Sequence, residues 1–374
     1  MIPEERYMRR AIELARQGEG KVNPNPLVGC VVVKEGQIIA EGFHESYGGF
    51  HAERNALLSC GEEARGADLY VNLEPCCHYG KTPPCVEMIL EKGIRRVFLG
   101  CQDPNPLVAG KGTALLREKG VQVTEGILEK ECRELNEIFF HYIRTGRPFT
   151  AMKYAMTLDG RIAADGGSSK WITGEAARRH VHTLRRRYSA ILAGIGTALA
   201  DDPMLDCRIQ EGVNPVRILC DSHLRLPLES KIVRTAGQIP TILACLQEDR
   251  SQEKAEKLIE AGVKVWQISG SQRGPKERVD LKHLWKKIGE AGIDSILVEG
   301  GGILHGSLLT EGLVDRVYAY IAPKLISGET NQGPVRGTGI LRMAQAVTLK
   351  DSRILSLEED YLIIGTVAHK LERD

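Results

Sequence analysis

Short apolar runs alternate with longer amphipathic segments along this chain, and that alternation restricts the fold class more than any other feature. Glu4 to Arg16 has helical spacing, "VGCVVVKEGQIIAEGFH" reads as two strands turning at Glu35-Gly36, and "HAERNALLSC" reads as a helix. "DLYVNL" (strand), "PPCVEMILEKG" (a helix opened by prolines and closed by Gly93), "RRVFLG" (strand), "GTALLREKG" (helix) and "VQVTEG" (strand) follow, then "KECRELNEIFFHYIRTG" as one long helix. Beyond the turn-rich "RTGRPF" come the strands "TAMKYAMTLDG", "SAILAG", "VRILCDS", "TILAC", "VKVWQI" and "SILVEGG". Helical segments at Gln252 to Ala261 and "LKHLWKKIGEAG" separate the later ones, and "LLTEGLVDRVYAYIAPKL" runs from helix to strand. Strands with crossover helices predict α/β architecture, each sheet covered on both faces.

The chain has 374 residues, a length that suits two domains, and the break at Arg144 to Phe149 divides it into 1–146 and 147–374. Fifty basic residues face 49 acidic ones, for a net charge of +1. That balance gives no field for steering onto a polyanion, so nucleic acid is not expected and a small molecule is. No apolar run is long enough for a membrane helix. The N-terminal "MIPEERYMRRAIELARQ" lacks the apolar core of a secretory signal, and a cytoplasmic location is expected.

Ten cysteines in such a chain are expected to stay reduced. Seven are scattered in apolar surroundings, but Cys76, Cys77 and Cys85 cluster in "EPCCHYGKTPPC". Upstream, "HAE" places His51 and Glu53 at the start of a predicted helix. An H-x-E motif followed by Pro-Cys and a further cysteine is the signature of zinc deaminases. His51, Cys76 and Cys85 as three ligands would leave one position open for water, as in catalytic rather than structural sites. Glu53 is then the carboxylate that takes a proton from water and gives it to the departing amine. Cys77 is read as a non-ligand, because neighbouring side chains rarely both reach one ion; His78 as a fourth ligand would make the site structural.

Together with the upstream "VNPNPLVG", these motifs resemble the bifunctional deaminase–reductases of riboflavin biosynthesis, which carry "NPNPxVG", "HAE" and "EPCxxxGxTPPC". The resemblance implies an N-terminal cytidine-deaminase-like three-layer domain. It implies deamination of 2,5-diamino-6-ribosylamino-4(3H)-pyrimidinone 5′-phosphate, with one zinc ion per chain. Asn23, His44 and Lys81 are then candidates for holding the pyrimidine or its phosphate.

In the second half, "SILVEGGGILHGSLL" sends a strand into three glycines that open a helix, an arrangement suited to phosphate. It is not the dinucleotide fingerprint of a Rossmann fold. "KYAMTLDGRIA" (Lys153 to Ala163), "SSKWITG" (Ser168 to Gly174) and "GIGTALADDPMLDCR" (Gly194 to Arg208) resemble the reductase half of the same family. That half implies a dihydrofolate-reductase-like α/β domain taking hydride from NADPH to convert the ribosyl group of the deaminated aminouracil to ribityl. Carried over by motif, Ala155, Trp171, Thr197, Asp201, Ser222, Gly301, Gly302, Ile303, Leu304, His305, Gly306 and Ser307 line the cofactor site. Ser169, Arg185, Leu205, Arg208 and Glu299 line the substrate site, with Arg185 and Arg208 suited to a phosphate. Lys153, Asp201 and Glu299 are the candidates for proton transfer or for orienting the ribose. The resemblance also points to a homo-oligomer.

Two other readings are open to the sequence. A nucleic-acid or nucleoside deaminase with an accessory domain predicts a basic face and a C-x-x-C spacing, where this chain has the longer Cys76–Cys85 gap. A non-catalytic zinc-stabilised module requires a fourth ligand and leaves Glu53 without a task.

Overall fold

The computed structural model describes residues 3–79, 83–105, 108–210, 212–247, 252–273, 276–328 and 333–368. The chain separates into two compact units, Met1–Gly146 and Arg147–Asp374.

In the first unit the elements are α1 (Pro3–Ala15), β1 (Gly29–Lys34), β2 (Gln37–Phe43), α2 (Ala52–Ser59), β3 (Asp68–Leu73), α3 (Cys85–Glu91), β4 (Arg96–Cys101), α4 (Lys111–Glu118), β5 (Gln122–Thr124), α5 (Glu129–Leu135) and α6 (Glu137–Thr145). The sheet order is β2-β1-β3-β4-β5. β1 runs antiparallel to β2 and β3, and β3, β4 and β5 are parallel. Glu35 and Gly36, both at positive φ, make the tight turn between β1 and β2. Residues of α2, α3 and α4 pack on one face of the sheet, through Leu57, Val86, Ile89 and Leu116. Residues of α1, α5 and α6 pack on the other, through Met8, Ile12, Leu135 and Phe139. The outcome is a three-layer domain.

The long helix expected over Lys130–Gly146 is two helices, broken at Asn136. The break has a physical reason. Asn136 is buried, its Oδ1 accepts from the Leu27 N–H at 2.8 Å, and its Nδ2 donates to the Leu27 carbonyl at 2.9 Å. Asn72 adds a second grip: Nδ2 donates to the same carbonyl at 2.9 Å and Oδ1 accepts from the Gly29 N–H at 2.8 Å. The "NPNPLVG" loop is thus pinned through its backbone.

The second unit contains β6 (Phe149–Thr157), α7 (Glu175–Arg187), β7 (Ala190–Gly194), α8 (Ile195–Asp201), β8 (Val216–Cys220), α9 (Lys231–Arg234), β9 (Thr241–Leu246), α10 (Gln252–Glu260), β10 (Val263–Ile268), β11 (Gly270–Arg273), β12 (Lys276–Val279), α11 (Leu281–Glu290), β13 (Ser295–Val298), α12 (Gly302–Thr310), β14 (Arg316–Ala322), β15 (Leu349–Leu357) and β16 (Asp360–Val367). Nine strands form one sheet in the order β10-β9-β8-β7-β13-β6-β14-β16-β15. It is parallel up to β14, and β16 and β15 close it antiparallel. α11 and α12 cover one face with Trp285, Ile288 and Leu308; the Trp285 indole donates to Thr150 Oγ1 at 2.8 Å, so its polar atom is satisfied inside the core. Ile195, Leu224, Ile232 and Leu258 build the core on the opposite face. Among the described residues no helix is long and apolar enough to cross a membrane.

Candidate active sites

In the first unit the local chain geometry brings three donors together. His51 holds the extended position before α2, while Glu53 sits in the first turn. Residues two apart in a helix interior point away from each other; at the start they converge. Cys76 lies in the loop after β3, and Cys85 is the first residue of α3, set by the extended Pro84. The ligand atoms of His51, Cys76 and Cys85 all lie within 4.8 Å of one another, and among the described residues no further His, Cys, Asp or Glu joins them. His51 Nδ1 is 3.5 Å from Cys76 Sγ and 3.3 Å from Cys85 Sγ. The Cys85 N–H donates to Cys76 Sγ at 3.3 Å. Cys77 packs against the apolar layer beneath, and neither it nor His78 belongs to the cluster.

Charge at this cluster is already arranged for metal. The Cys76 thiol is drawn well below its usual range, first by its hydrogen bond with Cys85 and then by His51. Glu53 is 3% exposed, and burial pushes its carboxyl upward. Two sulfurs and one imidazole within mutual reach are a zinc-type donor set.

His44 stands edge-on to His51, ring centroids 5.6 Å apart. Its Nδ1–H donates to the Phe50 carbonyl at 2.9 Å, which leaves Nε2 to accept from the Asn25 amide at 3.1 Å. Burial lowers its pKa, so it is a neutral imidazole with both nitrogens engaged. Asn23 is half-buried in the pinned loop, and Lys81 falls outside the described residues. Sequence reasoning missed Asn25 and Asp103. The Asp103 carboxyl is pushed to about 6 by burial, and its charge interacts with His78 and Cys76. Only a turn-like "QDPNP" marked it in the sequence.

Among the described residues of the second unit, two cavities adjoin. The larger, of about 740 Å³, is lined by Thr197, Asp201, Ser222, Gly301, Gly302, Ile303, Leu304 and Ser307 among others. The smaller, of about 360 Å³, is lined by Lys153, Ser169, Arg185, Leu205, Arg208 and Glu299 among others. Ser169, Thr197, Asp201, Gly301 and Gly302 line both. Residues read as substrate-binding therefore gather in one cavity, and most of those read as cofactor-binding gather in the other. Ala155, Trp171 and His305 line the smaller one instead. Gly306 lines neither, and a Cβ there would meet the Arg336 carbonyl at 1.9 Å, so the close approach of that backbone requires a glycine. Gly301 has φ of 87° at the start of α12, where a side chain would be strained.

At the floor of the smaller cavity Glu299 follows β13. It accepts both arms of the Arg185 fork, at 2.6 and 2.8 Å, and faces Lys153 Nζ at 3.6 Å. Burial alone would raise its pKa, but Arg185 and Lys153 overcome that and bring it to about 2. Burial lowers the Lys153 pKa. Arg185 is thus neither a solvated basic face nor a free fork, since its third arm donates to the Asp206 carbonyl at 2.8 Å. Arg208 pairs through Nε with Asp206 Oδ1 at 3.3 Å while most of its side chain stays exposed. Trp171 is 66% exposed, beneath the Arg178 guanidinium at 4.5 Å, and so is no core residue. Asp201 accepts from Ser169 Oγ at 3.3 Å, while Asp202, at positive φ, takes the turn. Tyr320 and Arg178 of the smaller cavity, and His223, Arg225, Arg278 and Arg336 of the larger, were not singled out by sequence, because no local motif carries them.

Comparison with known proteins decides the family. Residues 148–363 match the family model described as the RibD C-terminal domain, and residues 1–101 match the cytidine and deoxycytidylate deaminase zinc-binding region. Riboflavin biosynthesis protein RibD of Actinobacillus pleuropneumoniae is 53% identical over 96% of this chain and 93% of its own length. The chain belongs to the RibD family. RibD of Escherichia coli is 40% identical, with 96% of this chain and 98% of that protein covered. Among solved structures, Acinetobacter baumannii RibD superposes with a TM-score of 0.87 at 36% identity, covering 98% of this chain and 99% of that one. A Thermotoga maritima protein titled as a diaminohydroxyphosphoribosylaminopyrimidine deaminase/5-amino-6-(5-phosphoribosylamino)uracil reductase gives 0.85 at 38%, with the same coverage. As a RibD chain it is a bifunctional enzyme of riboflavin biosynthesis, with a cytidine-deaminase-like unit and a dihydrofolate-reductase-like unit. It takes zinc and NADPH.

Proposed function

We propose that the first unit deaminates 2,5-diamino-6-ribosylamino-4(3H)-pyrimidinone 5′-phosphate and the second reduces the ribosyl group of the resulting aminouracil. The observation that carries the reading is a buried acid, Glu53, set against the three-donor cluster His51, Cys76 and Cys85. Those three residues would hold zinc, which would supply a Lewis acid that makes water nucleophilic near neutral pH. Glu53 takes a proton as water adds to the ring carbon bearing the amine, and returns it to the nitrogen that leaves as ammonia. Neutral His44 and the loop of Asn23 and Asn25 face the pyrimidine, and Asp103 borders the same space; Lys81 is the candidate for the phosphate.

In the second unit the residues lining the larger cavity would hold NADPH, which would supply the hydride. The reduction places hydride on the anomeric carbon, and the C–O bond of the ribose ring breaks as its oxygen takes a proton. Lys153 is the donor of that proton, Glu299 holds its ammonium, and Asp201 with Ser169 orients the ribose hydroxyls. Arg208 meets the substrate phosphate beside Arg185. Supplying the diaminopyrimidine phosphate with NADPH should give both ammonia release and loss of nicotinamide absorbance; ammonia without NADPH oxidation would refute the reductase half.

Hydride transfer fixes the nicotinamide near the wall shared with the substrate cavity. The adenosine half would then lie among Ser222, Arg225 and Arg278, which line the larger cavity. Ser222 Oγ accepts from the Val279 N–H at 3.2 Å, which brings the two arginine-bearing segments together. Arg225 approaches the Asp221 carboxylate only to 3.8 Å, and among the described residues no ion pair engages Arg278. Both suit the 2′-phosphate that distinguishes NADPH from NADH. Hydrogen bonds to charged groups are worth about 1.5–3 kcal/mol, so Arg225→Ala and Arg278→Ala should each raise KM for NADPH about ten- to hundredfold. KM for NADH should not change; equal losses for both cofactors would refute this assignment.

Self-association is supported by β15, the edge strand of the large sheet, which is open on both faces except at its last residue. Ile354 is exposed there, as are Leu341 and Met343 in the preceding segment. An exposed edge strand is a template for a second chain. Ile354→Glu should convert an oligomer to a monomer by light scattering, whereas a wild-type chain that is itself monomeric would remove the proposal. A cytoplasmic location agrees with ten free thiols.

A further inference from the structure

Glu74 precedes Cys76 by two residues and takes no part in the donor cluster. Its carboxylate is buried and turned to the start of α4. Oε2 accepts from the Gly110 N–H at 2.9 Å and the Asp103 N–H at 3.4 Å, and Oε1 accepts from the Thr113 N–H at 3.2 Å. Free N–H groups and the positive end of a helix favour an anion at that point. The Glu74 backbone N–H is anchored as well, donating to the Cys101 carbonyl at 3.0 Å. The first turn of α4 comes so close that a Cβ on Gly112 would stand 2.2 Å from the Pro75 carbonyl. From the other side, the Val86 N–H of α3 donates to the Cys76 carbonyl at 3.2 Å. The Pro75–Cys76 segment is therefore gripped between two helix starts, and one of the two grips runs through a carboxylate.

We propose that Glu74 is a positioning residue for the metal: by tying the Cys76 segment to α4, it sets the direction from which the Cys76 sulfur meets the ion. This rests on the reading of His51, Cys76 and Cys85 as the zinc ligands. Groups that orient a ligand without touching the metal typically change metal affinity about ten- to hundredfold when removed. A carboxylate that merely stabilised the fold would lower the melting temperature and leave the metal's electronic environment alone.

The test uses the full chain loaded with zinc, mixed with excess chromogenic chelator, and the same chain loaded with cobalt(II) for its thiolate charge-transfer and ligand-field bands. Glu74→Ala should release zinc about ten- to hundredfold faster and shift the cobalt bands. Glu74→Gln keeps an acceptor oxygen but turns an NH₂ group toward N–H donors, and should fall between. Gly112→Ala presses on the Pro75 carbonyl with Glu74 intact, and should move the same bands. Circular dichroism checks folding; if Glu74→Ala does not fold, Glu74→Gln and Gly112→Ala carry the test. Unaltered release rates and cobalt bands in both would overturn the proposal. The zinc content of the unsubstituted chain tests the ligand reading separately: a chain free of zinc sinks that reading first, and the role of Glu74 with it.

Discussion

Glu53→Ala should abolish ammonia release, by about 10²–10⁴-fold, the usual worth of a positioned acid–base group. NADPH oxidation should continue at the wild-type rate when the deaminated intermediate is supplied. The separation is expected because the two sites have separate cores and share no residue. Zinc content should be unchanged, since Glu53 is not among the three donors. Measuring ammonia, absorbance and metal on one preparation separates a lost proton carrier from a lost metal. Ammonia release that survives the substitution would remove Glu53 from the mechanism.

Glu299→Gln should have the opposite selectivity. One carboxylate neutralises two buried cations, Arg185 at 2.6 Å and Lys153 at 3.6 Å. Removing its charge leaves Lys153 without its carboxylate and Arg185 with only the Asp206 carboxylate at 3.9 Å, and breaking a buried pair costs about 3–5 kcal/mol. NADPH oxidation should fall at least about a hundredfold, the melting temperature of the second unit should drop, and deamination should persist. The pH dependence follows from the sign of the shift. The Glu299 carboxyl lies at about 2 in the folded chain, below its usual value of about 4.3. Its contribution is therefore complete above about 4.3 and is lost as pH falls toward 2. Wild type should lose stability more steeply than Glu299→Gln across that window in acid-unfolding curves. Parallel curves would show that the carboxylate does not carry this charge cluster.

How much could be read in advance depended on how local each determinant is. The donor triad was readable because "HAE" and "EPC…PPC" fix ligand types at helix starts, where backbone geometry does the rest. The central strands were readable from their continuous apolar runs. Asn136 was not, because an asparagine inside a helical pattern looks like a tolerated surface residue until its partner, 109 positions away, is known. Arg185 looked like one arginine among three, and only the fold brings Glu299, 114 residues later, against it. The basic end of the larger cavity draws on segments around 222 and 278 that no motif links. The C-terminal hairpin of β15 and β16 was missed for a related reason: an edge strand open on both faces has no buried side to impose an alternating pattern.

The grip of Asn136 on Leu27 also bears on where a working deaminase can be cut from this chain. All three metal donors and Glu53 lie before residue 86, and the zinc-binding family match ends at residue 101. A fragment trimmed to that limit would keep every donor and the Asn72 grip but lose both Asn136 hydrogen bonds to the loop that carries Asn23 and Asn25. A version that keeps both grips must run past Asn136, and during synthesis the loop is held at both asparagines only after the start of α6 has emerged.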